Sequence, residues 1–245
     1  MQDGGVGSVT INLAAYNVAG PAAATLTIDG SSLGESLTVS GGANSALEVL
    51  NVTGGAGDDS LTAGAGNDTL TGGAGNDGIN GGAGNDVITA GEGNDTIDGG
   101  ANNDSIDAGA GNDTITVAAV GEDSMINGGE GTVDTLKVDA AAAVLLANWA
   151  GVSGIEVLEL KDAVASSVQL DAATAASTGI QTIDGTLTNG LTVSAATVAS
   201  ALTILAGVGD DNLVSGTGDD TFVFDATNSL GAADVVNGTS GNDKI

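Results

Sequence analysis

Seven aspartates stand nine residues apart: Asp59, Asp68, Asp77, Asp86, Asp95, Asp104 and Asp113. Carboxylates at so regular a spacing suit one kind of chemistry, the binding of hard metal cations through oxygen. The residues around them repeat as well. From Gly54 to Thr116 the chain reads GGAGDDSLT, AGAGNDTLT, GGAGNDGIN, GGAGNDVIT, AGEGNDTID, GGANNDSID and AGAGNDTIT without an insertion. The eighth position is always aliphatic: Leu61, Leu70, Ile79, Ile88, Ile97, Ile106 and Ile115. Glycine fills the second position in every copy and the fourth in all but one, where Asn102 stands. A fixed period of this strictness is the signature of a solenoid.

The elements that must position these aspartates follow from the phrase. Positions seven to nine read as a short strand, in which alternation lets only the eighth side chain face inward. The GGxGxD stretch must be a tight turn, because glycine enters positive φ freely. Two phrases then make one flattened coil, and residues eighteen apart stack at about 4.8 Å. Asp59 is expected over Asp77, Asp68 over Asp86, Asp77 over Asp95, Asp86 over Asp104, and Asp95 over Asp113. Bare carboxylates at that spacing repel by roughly 3.5 kcal/mol per pair at an effective dielectric of about 20. A divalent cation removes the repulsion and ties each turn to the next coil. Calcium fits best, since it accepts six to eight oxygens, backbone carbonyls included, whereas magnesium prefers to keep its waters. Zinc and copper fit poorly in a chain with no Cys and no His. A flexible Gly/Asn/Asp linker has a similar composition, but it requires neither strict register nor an invariant aliphatic position.

The phrase G-G-x-G-x-D-x-U-x resembles the RTX nonapeptide repeat over these 63 residues. The resemblance implies an all-β fold, a parallel β-roll or β-solenoid with calcium-binding turns, and several bound Ca2+ ions. It implies the seven aspartates as side-chain ligands. Turn carbonyls would supply the other oxygens, at Gly55, Gly57, Gly64, Gly66, Gly73, Gly75, Gly82, Gly84, Gly91, Gly93, Gly100, Gly109 and Gly111. Two further phrases, Ala206–Val214 and Ser215–Val223, extend the ligand set to Asp211 and Asp220. Asn102 in place of glycine puts one turn in question.

Composition narrows the partners. The chain has 245 residues, 42 glycines, one proline (Pro21), one tryptophan (Trp149) and a formal charge of −29. Such a surface repels nucleic acid and anionic membranes. Disorder, the bland reading of high charge, is opposed by an apolar share of 41%. No apolar run reaches membrane-spanning length. The opening MQDGGVGSVT lacks the pattern of a secretory signal peptide. Weak extracellular calcium sites, with dissociation constants around 10⁻⁴–10⁻³ M, stay empty at cytosolic calcium levels. Binding and folding should be one event, so the folded protein is expected outside the cell or on its surface. The RTX resemblance implies type I export, which reads a C-terminal signal; none is evident in this chain.

A longer repeat also emerges. TIDGSSLGESLTVSGGANSALEVLNVTGGAGDDSL (Thr27–Leu61) matches TIDGTLTNGLTVSAATVASALTILAGVGDDNL (Thr182–Leu213), so the chain holds two copies of one module, seven phrases in the first and two in the second. The expected segments are metal-free solenoid coils at 1–53, a calcium β-roll at 54–133, metal-free coils at 134–205 and a short second block at 206–245. The chain ends inside another phrase, Gly241 to Ile245, and so reads as a piece of a longer protein. Alternation predicts strands at Val9–Leu13, Leu26–Asp29, Leu37–Ser40, Leu47–Val52, Thr135–Val138, Ile155–Leu160, Ser167–Leu170, Thr182–Asp184, Leu191–Ser194 and Leu202–Leu205. Ala140–Trp149 is expected as a short helix. The whole is expected to form an elongated rod.

Other chemistry finds little support. Without His or Cys no Ser-His-Asp or Cys-His unit can form. Paired carboxylates are abundant, as a glycosidase requires, but two Phe, one Tyr and one Trp cannot line a sugar cleft. The chain is therefore read as no enzyme. Glycine turns that carry aspartates would repel phosphate. Threonines at positions seven and nine are interrupted by Gly78, Val87, Asp98 and Asp107, and read as solvent-facing residues, not as an ice-binding face. Asp58, Asp210 and Asp219, at the fifth position, read as solvated turn residues; Asp134 and Asp243 stand in degenerate phrases and rank low as ligands.

Two functions stay open. Ala/Thr/Gly-rich β modules alternating with calcium repeats resemble Gram-negative S-layer proteins, as do GVSGIEVLEL (Gly151–Leu160) and the following DAAT (Asp171–Thr174). That resemblance implies a calcium-dependent surface layer or matrix whose main partner is further copies of the chain, through solenoid edges or lattice contacts. Direct membrane insertion is not expected, and cell-surface polysaccharide would be met by regions outside this sequence. The alternative is the export and folding module of an RTX adhesin or secreted hydrolase.

Overall fold

β-branched and aliphatic residues alternating with small polar ones favour short strands with one buried face. In the computed structural model that tendency produces parallel strands throughout. Residues 7–13, 24–41, 48–118, 123–139, 143–144, 149–161, 166–224 and 230–245 are described. They fall into two compact units, Met1–Thr116 with Glu122–Thr132, and Val117–Gly121 with Val133–Ile245.

The first unit is a two-sided parallel β-solenoid. One sheet stacks Val9–Asn12, Leu37–Ser40, Ser60–Thr62, Gly78–Asn80, Thr96–Asp98 and Thr114–Val117 in chain order. The other stacks Ala24–Asp29, Glu48–Thr53, Thr69–Ala74, Val87–Glu92, Ser105–Ala110 and Met125–Asn127. The register places Leu61 against Ile79, Ile79 against Ile97, and Ile97 against Ile115. Across the coil Leu70, Ile88 and Ile106 form the facing column. All seven are at most 2% exposed, so the invariant eighth position builds the core.

The expected all-β parallel solenoid is what the chain forms, with differences in detail. Positions seven to nine are expected as short strands, and one sheet has them as three-residue strands. On the other, pairing runs on into the turn through Gly73 with Gly91 and Ala74 with Glu92, giving six-residue strands. The opposite turns make hydrogen bonds of the same kind, but their pairing is reduced to isolated bridges, Ala65 with Ala83 and Ala83 with Ala101.

The second unit repeats the plan with longer connections. One sheet stacks Thr135–Val138, Val157–Leu160, Thr182–Asp184, Thr203–Leu205 and Thr221–Val223. The other stacks Ala143–Val144, Ser166–Gln169, Leu191–Ser194, Asn212–Val214 and Val235–Asn237. Leu136, Leu158, Ile183, Ile204 and Phe222 form one buried column, Val168, Val193 and Leu213 the other.

The duplicated TIDG motif folds alike in its two places. Asp29 Oδ1 accepts the Ser31 N–H at 3.1 Å, and Asp184 Oδ1 the Thr186 N–H at 3.0 Å. The following turns close with Leu33 N–H on the Gly30 carbonyl and Thr188 N–H on the Gly185 carbonyl.

The helix expected over Ala140–Trp149 is corrected. Residues 140–142 and 145–148 of that span lie outside the described residues, while Ala143–Val144 is a strand paired with Ser167 and Val168. Among the described residues the α-helix is Ala172–Thr178. Asp171 caps it by accepting the Thr174 N–H at 2.7 Å, and Gly179, at φ 91°, ends it. Capping residues at both ends, not a run of alanines, mark where a helix forms here.

Candidate metal centre

The site is built from the turn upward. From Gly66 onward the glycines at the second and fourth positions adopt positive φ, for example Gly82 at 100° and Gly84 at 140°. A Cβ on either would run into the carbonyl oxygen of Gly64 or Gly66 in the preceding coil. Glycine is thus required both by dihedral angle and by the closeness of stacked turns. Asn102 takes the same conformation at φ 85°, and its side-chain amide donates to the Ala101 carbonyl at 2.7 Å. Asparagine is among the few side chains that tolerate this region, so the turn in question keeps its shape.

The turns deliver the aspartates inward. Asp59, Asp68, Asp77, Asp86, Asp95, Asp104 and Asp113 are 1–3% exposed, and Asp211 and Asp220 are 1% exposed. They stack as the eighteen-residue spacing predicts, and they are joined through the backbone. Oδ1 of Asp77, Asp86, Asp95, Asp104 and Asp113 accepts the N–H of the aspartate eighteen residues earlier, at 2.7–2.9 Å. Asp59 Oδ1 serves Leu37, and Asp68 Oδ1 serves Leu50. Asp211 and Asp220 serve Leu191 and Leu202 in the same way.

The second carboxylate oxygen is left over. Oδ2 of Asp77, Asp86, Asp95, Asp104, Asp211 and Asp220 is buried and receives no hydrogen bond. In Asp77 and Asp86 it lies at the head of its own phrase, where the next coil brings up a carbonyl. A Cβ placed on Gly81 would lie 2.5 Å from Asp86 Oδ2 and 2.5 Å from the Gly99 oxygen. Around Gly72 the same pair is Asp77 Oδ2 with the Ala90 oxygen, and around Gly54 it is Asp59 Oδ2 with the Gly72 oxygen. Among the described residues no three acidic side chains gather at one point. The turns headed by Gly54, Gly72 and Gly81 therefore offer a carboxylate together with a main-chain oxygen, the all-oxygen donor set that suits calcium.

Electrostatics agree with that fit. Burial pushes Asp77, Asp86 and Asp95 up to about 6 and Asp104 up to about 7, with neighbouring carboxylates adding to the rise. Asp68 and Asp211 are raised for the same first reason. Backbone hydrogen bonds oppose the shift without cancelling it. A cation beside Oδ2 acts in the direction that would restore the charged form.

The predicted glycines divide by role. Carbonyls of Gly55, Gly64, Gly82 and Gly109 accept coil-to-coil bonds from Ala74, Ala83, Ala101 and Glu130. Gly73, Gly91 and Gly100 share their turn position, and Gly57, Gly66, Gly75, Gly84, Gly93 and Gly111 fill the fourth place. Main-chain oxygens of the first-position residues Gly72, Ala90 and Gly99 also lie beside Oδ2 of Asp59, Asp77 and Asp86, a position the repeat pattern did not single out.

The fifth position has its own ladder. Asn94 N–H donates to Asn76 Oδ1 and Asn112 N–H to Asn94 Oδ1, both at 2.7 Å. Asp58 and Asp219 belong to it, accepting from Asn76 at 2.7 Å and Asn242 at 2.9 Å. They are exposed, as expected of solvated turn residues, but they also carry a coil-to-coil bond.

Four carboxylates that the pattern missed or ranked low occupy the same relation as the ladder aspartates. Asp123 accepts from Asp104, Glu156 through Oε2 from Asp134, Asp234 from Asp211, and Asp243 from Asp220, at 2.8–3.0 Å. The intervals are nineteen, twenty-two and twenty-three residues, so a search at eighteen passes over them. The usable signal is an acidic residue directly, or one residue, before a strand.

A family model for the RTX calcium-binding nonapeptide repeat matches the chain in four stretches, at residues 53–88, 80–115, 203–228 and 230–245. The last takes in Asp234 and Asp243. Comparison with the curated proteins finds no match.

Proposed function

With residues 53–115, 203–228 and 230–245 being RTX calcium-binding nonapeptide repeats, we propose that the chain is a calcium-assembled structural protein that folds outside the cell and associates with further copies of itself in a surface layer or matrix. The observation that carries this reading is the array of buried Oδ2 atoms with no hydrogen bond, those of Asp77 and Asp86 beside a main-chain oxygen of the next coil. Side-chain cations are scarce: the chain holds three Lys and Arg against 32 Asp and Glu. The ion pairs Lys137–Glu159 and Lys161–Asp139 lie outside the aspartate columns.

Calcium, when bound, supplies the missing positive charge and links successive turns. The chain's own part is to hold one oxygen of each aspartate by a backbone N–H of the coil before it, so that the other is turned towards the ion as the turns close. Sites of the extracellular affinity class fill only where calcium is abundant, which supports folding after export. No helix among the described residues is long and apolar enough to cross a membrane. The chain serves as scaffold in this reading, not as catalyst, and its tandem modules favour a lattice over a single export module.

Circular dichroism in EDTA and then in millimolar calcium tests the folding claim. The β signal should rise on calcium addition, and a signal indifferent to chelation refutes it. Electron microscopy of the calcium-loaded protein tests assembly: sheets or filaments support the lattice, and isolated particles support the export module of an adhesin or hydrolase.

A further inference from the structure

The first residue of each phrase is either glycine or alanine. Gly54, Gly72, Gly81 and Gly99 head four turns of the long block, and Ala63, Ala90 and Ala108 head three. This residue lies beside the carboxylate of its own phrase. A methyl on Gly81 would sit 2.5 Å from both Asp86 Oδ2 and the Gly99 oxygen, and one on Gly99 would sit 2.7 Å from Asp104 Oδ2 and 3.0 Å from Ile106 Cδ1. On Gly54 and Gly72 it would strike the aspartate oxygen and the next coil's carbonyl alike. At Gly54, Gly72 and Gly81 glycine therefore keeps open the space in which two oxygens converge, and at Gly99 the space beside the carboxylate oxygen. The alanine-headed turns carry a methyl at that position, and Ala63, Ala90 and Ala108 are at most 2% exposed, so it has no solvent to turn towards.

We propose that this head residue sorts the calcium sites into two affinity classes. Turns ending in Asp59, Asp77, Asp86 and Asp104 load first, and turns ending in Asp68, Asp95 and Asp113 load later. The inference rests on the calcium reading of the block. Calcium bonds oxygen at about 2.3–2.6 Å, so a carboxylate oxygen and a carbonyl that share one ion must come within roughly 5 Å of each other. A methyl between them holds the pair apart and weakens the grip. The glycine-headed turns are neighbours in each stack, Gly54 with Gly72 and Gly81 with Gly99, so loading begins at two adjacent pairs and spreads to the rest.

Calorimetric calcium titration of the full, EDTA-stripped chain tests this. Two classes are expected, separated by on the order of 10–100-fold, the range seen when groups around metal ligands are disturbed. A90G should move one site from the weak class to the tight one, and G81A one site the other way. Uniform sites in the wild-type chain, unchanged by A90G, overturn the proposal while leaving calcium binding intact. No calcium uptake by the wild-type chain overturns the calcium reading itself. A90G only deletes a methyl, so it keeps the test decisive even where G81A fails to fold, which circular dichroism reports.

Discussion

The backbone N–H of Asp59 donates to Oδ1 of Asp77, 2.7 Å away and eighteen residues later in the chain. That bond shows how a column of like charges is built into a buried wall. One oxygen of each carboxylate satisfies the main chain of the coil before it, and in Asp77, Asp86, Asp95 and Asp104 the other is buried without a hydrogen bond. The fifth position runs the opposite way, with Asn76 accepting from Asn94 in the following coil. Successive turns are thus tied in both directions by short side chains.

Replacing Asp86 with asparagine separates its two roles. D86N keeps an oxygen for the Asp68 N–H and removes a charge whose burial raises its pKa to about 6. The metal-free fold should gain on the order of 2–3 kcal/mol above pH 7, while calcium affinity falls. D86A should lose on both counts. Thermal melts with and without calcium measure the difference, and a D86N fold less stable than the wild type in EDTA contradicts the assignment.

Stability of the metal-free fold should depend on pH with a definite sign. Asp77, Asp86 and Asp95 titrate at about 6 and Asp104 at about 7 in the fold, against about 3.9 for an unfolded chain. The folded state holds more protons, so this contribution is fully present below about pH 4 and is lost as pH rises through 6 to 7. In EDTA, β content should be greater at pH 5 than at pH 8. Calcium affinity should change oppositely and fall below pH 6, where protons compete for the same oxygens. Dichroism and calcium titration across that range check both slopes.

Asn102 should be replaceable by glycine but not by alanine. At φ 85° N102G is expected to be neutral or mildly stabilising, and N102A to cost about 1–2 kcal/mol. Calcium-loaded melting temperatures distinguish them, and equal values would mean that the turn does not hold this conformation.

The helix Ala172–Thr178 should depend on its cap. D171A removes the acceptor of the Thr174 N–H and should cost about 1 kcal/mol. D171N should recover most of it, as read from urea unfolding of the calcium-loaded chain.

Much of the calcium block could be read from the sequence because its period is strict. Leu61, Ile79 and Asp77 fall where an eighteen-residue coil places them, since a parallel stack transmits register from each coil to the next. Asp123, Asp234 and Glu156 were hidden because longer connections shift the interval while the hydrogen bond stays the same. The helix was misplaced for a related reason: alanine content around Ala140 outweighed the capping pair Asp171 and Gly179.

By itself the sequence determined the β-solenoid, the coil length and the identity of the buried aspartates, because one short phrase must satisfy turn geometry, core and charge in every copy. Only the tertiary structure decided how each carboxylate divides its two oxygens, and that the carbonyl facing Asp77 Oδ2 comes from Ala90 in the next coil. Those relations join residues of different coils through the backbone, and backbone atoms carry no residue identity for a repeat pattern to reveal.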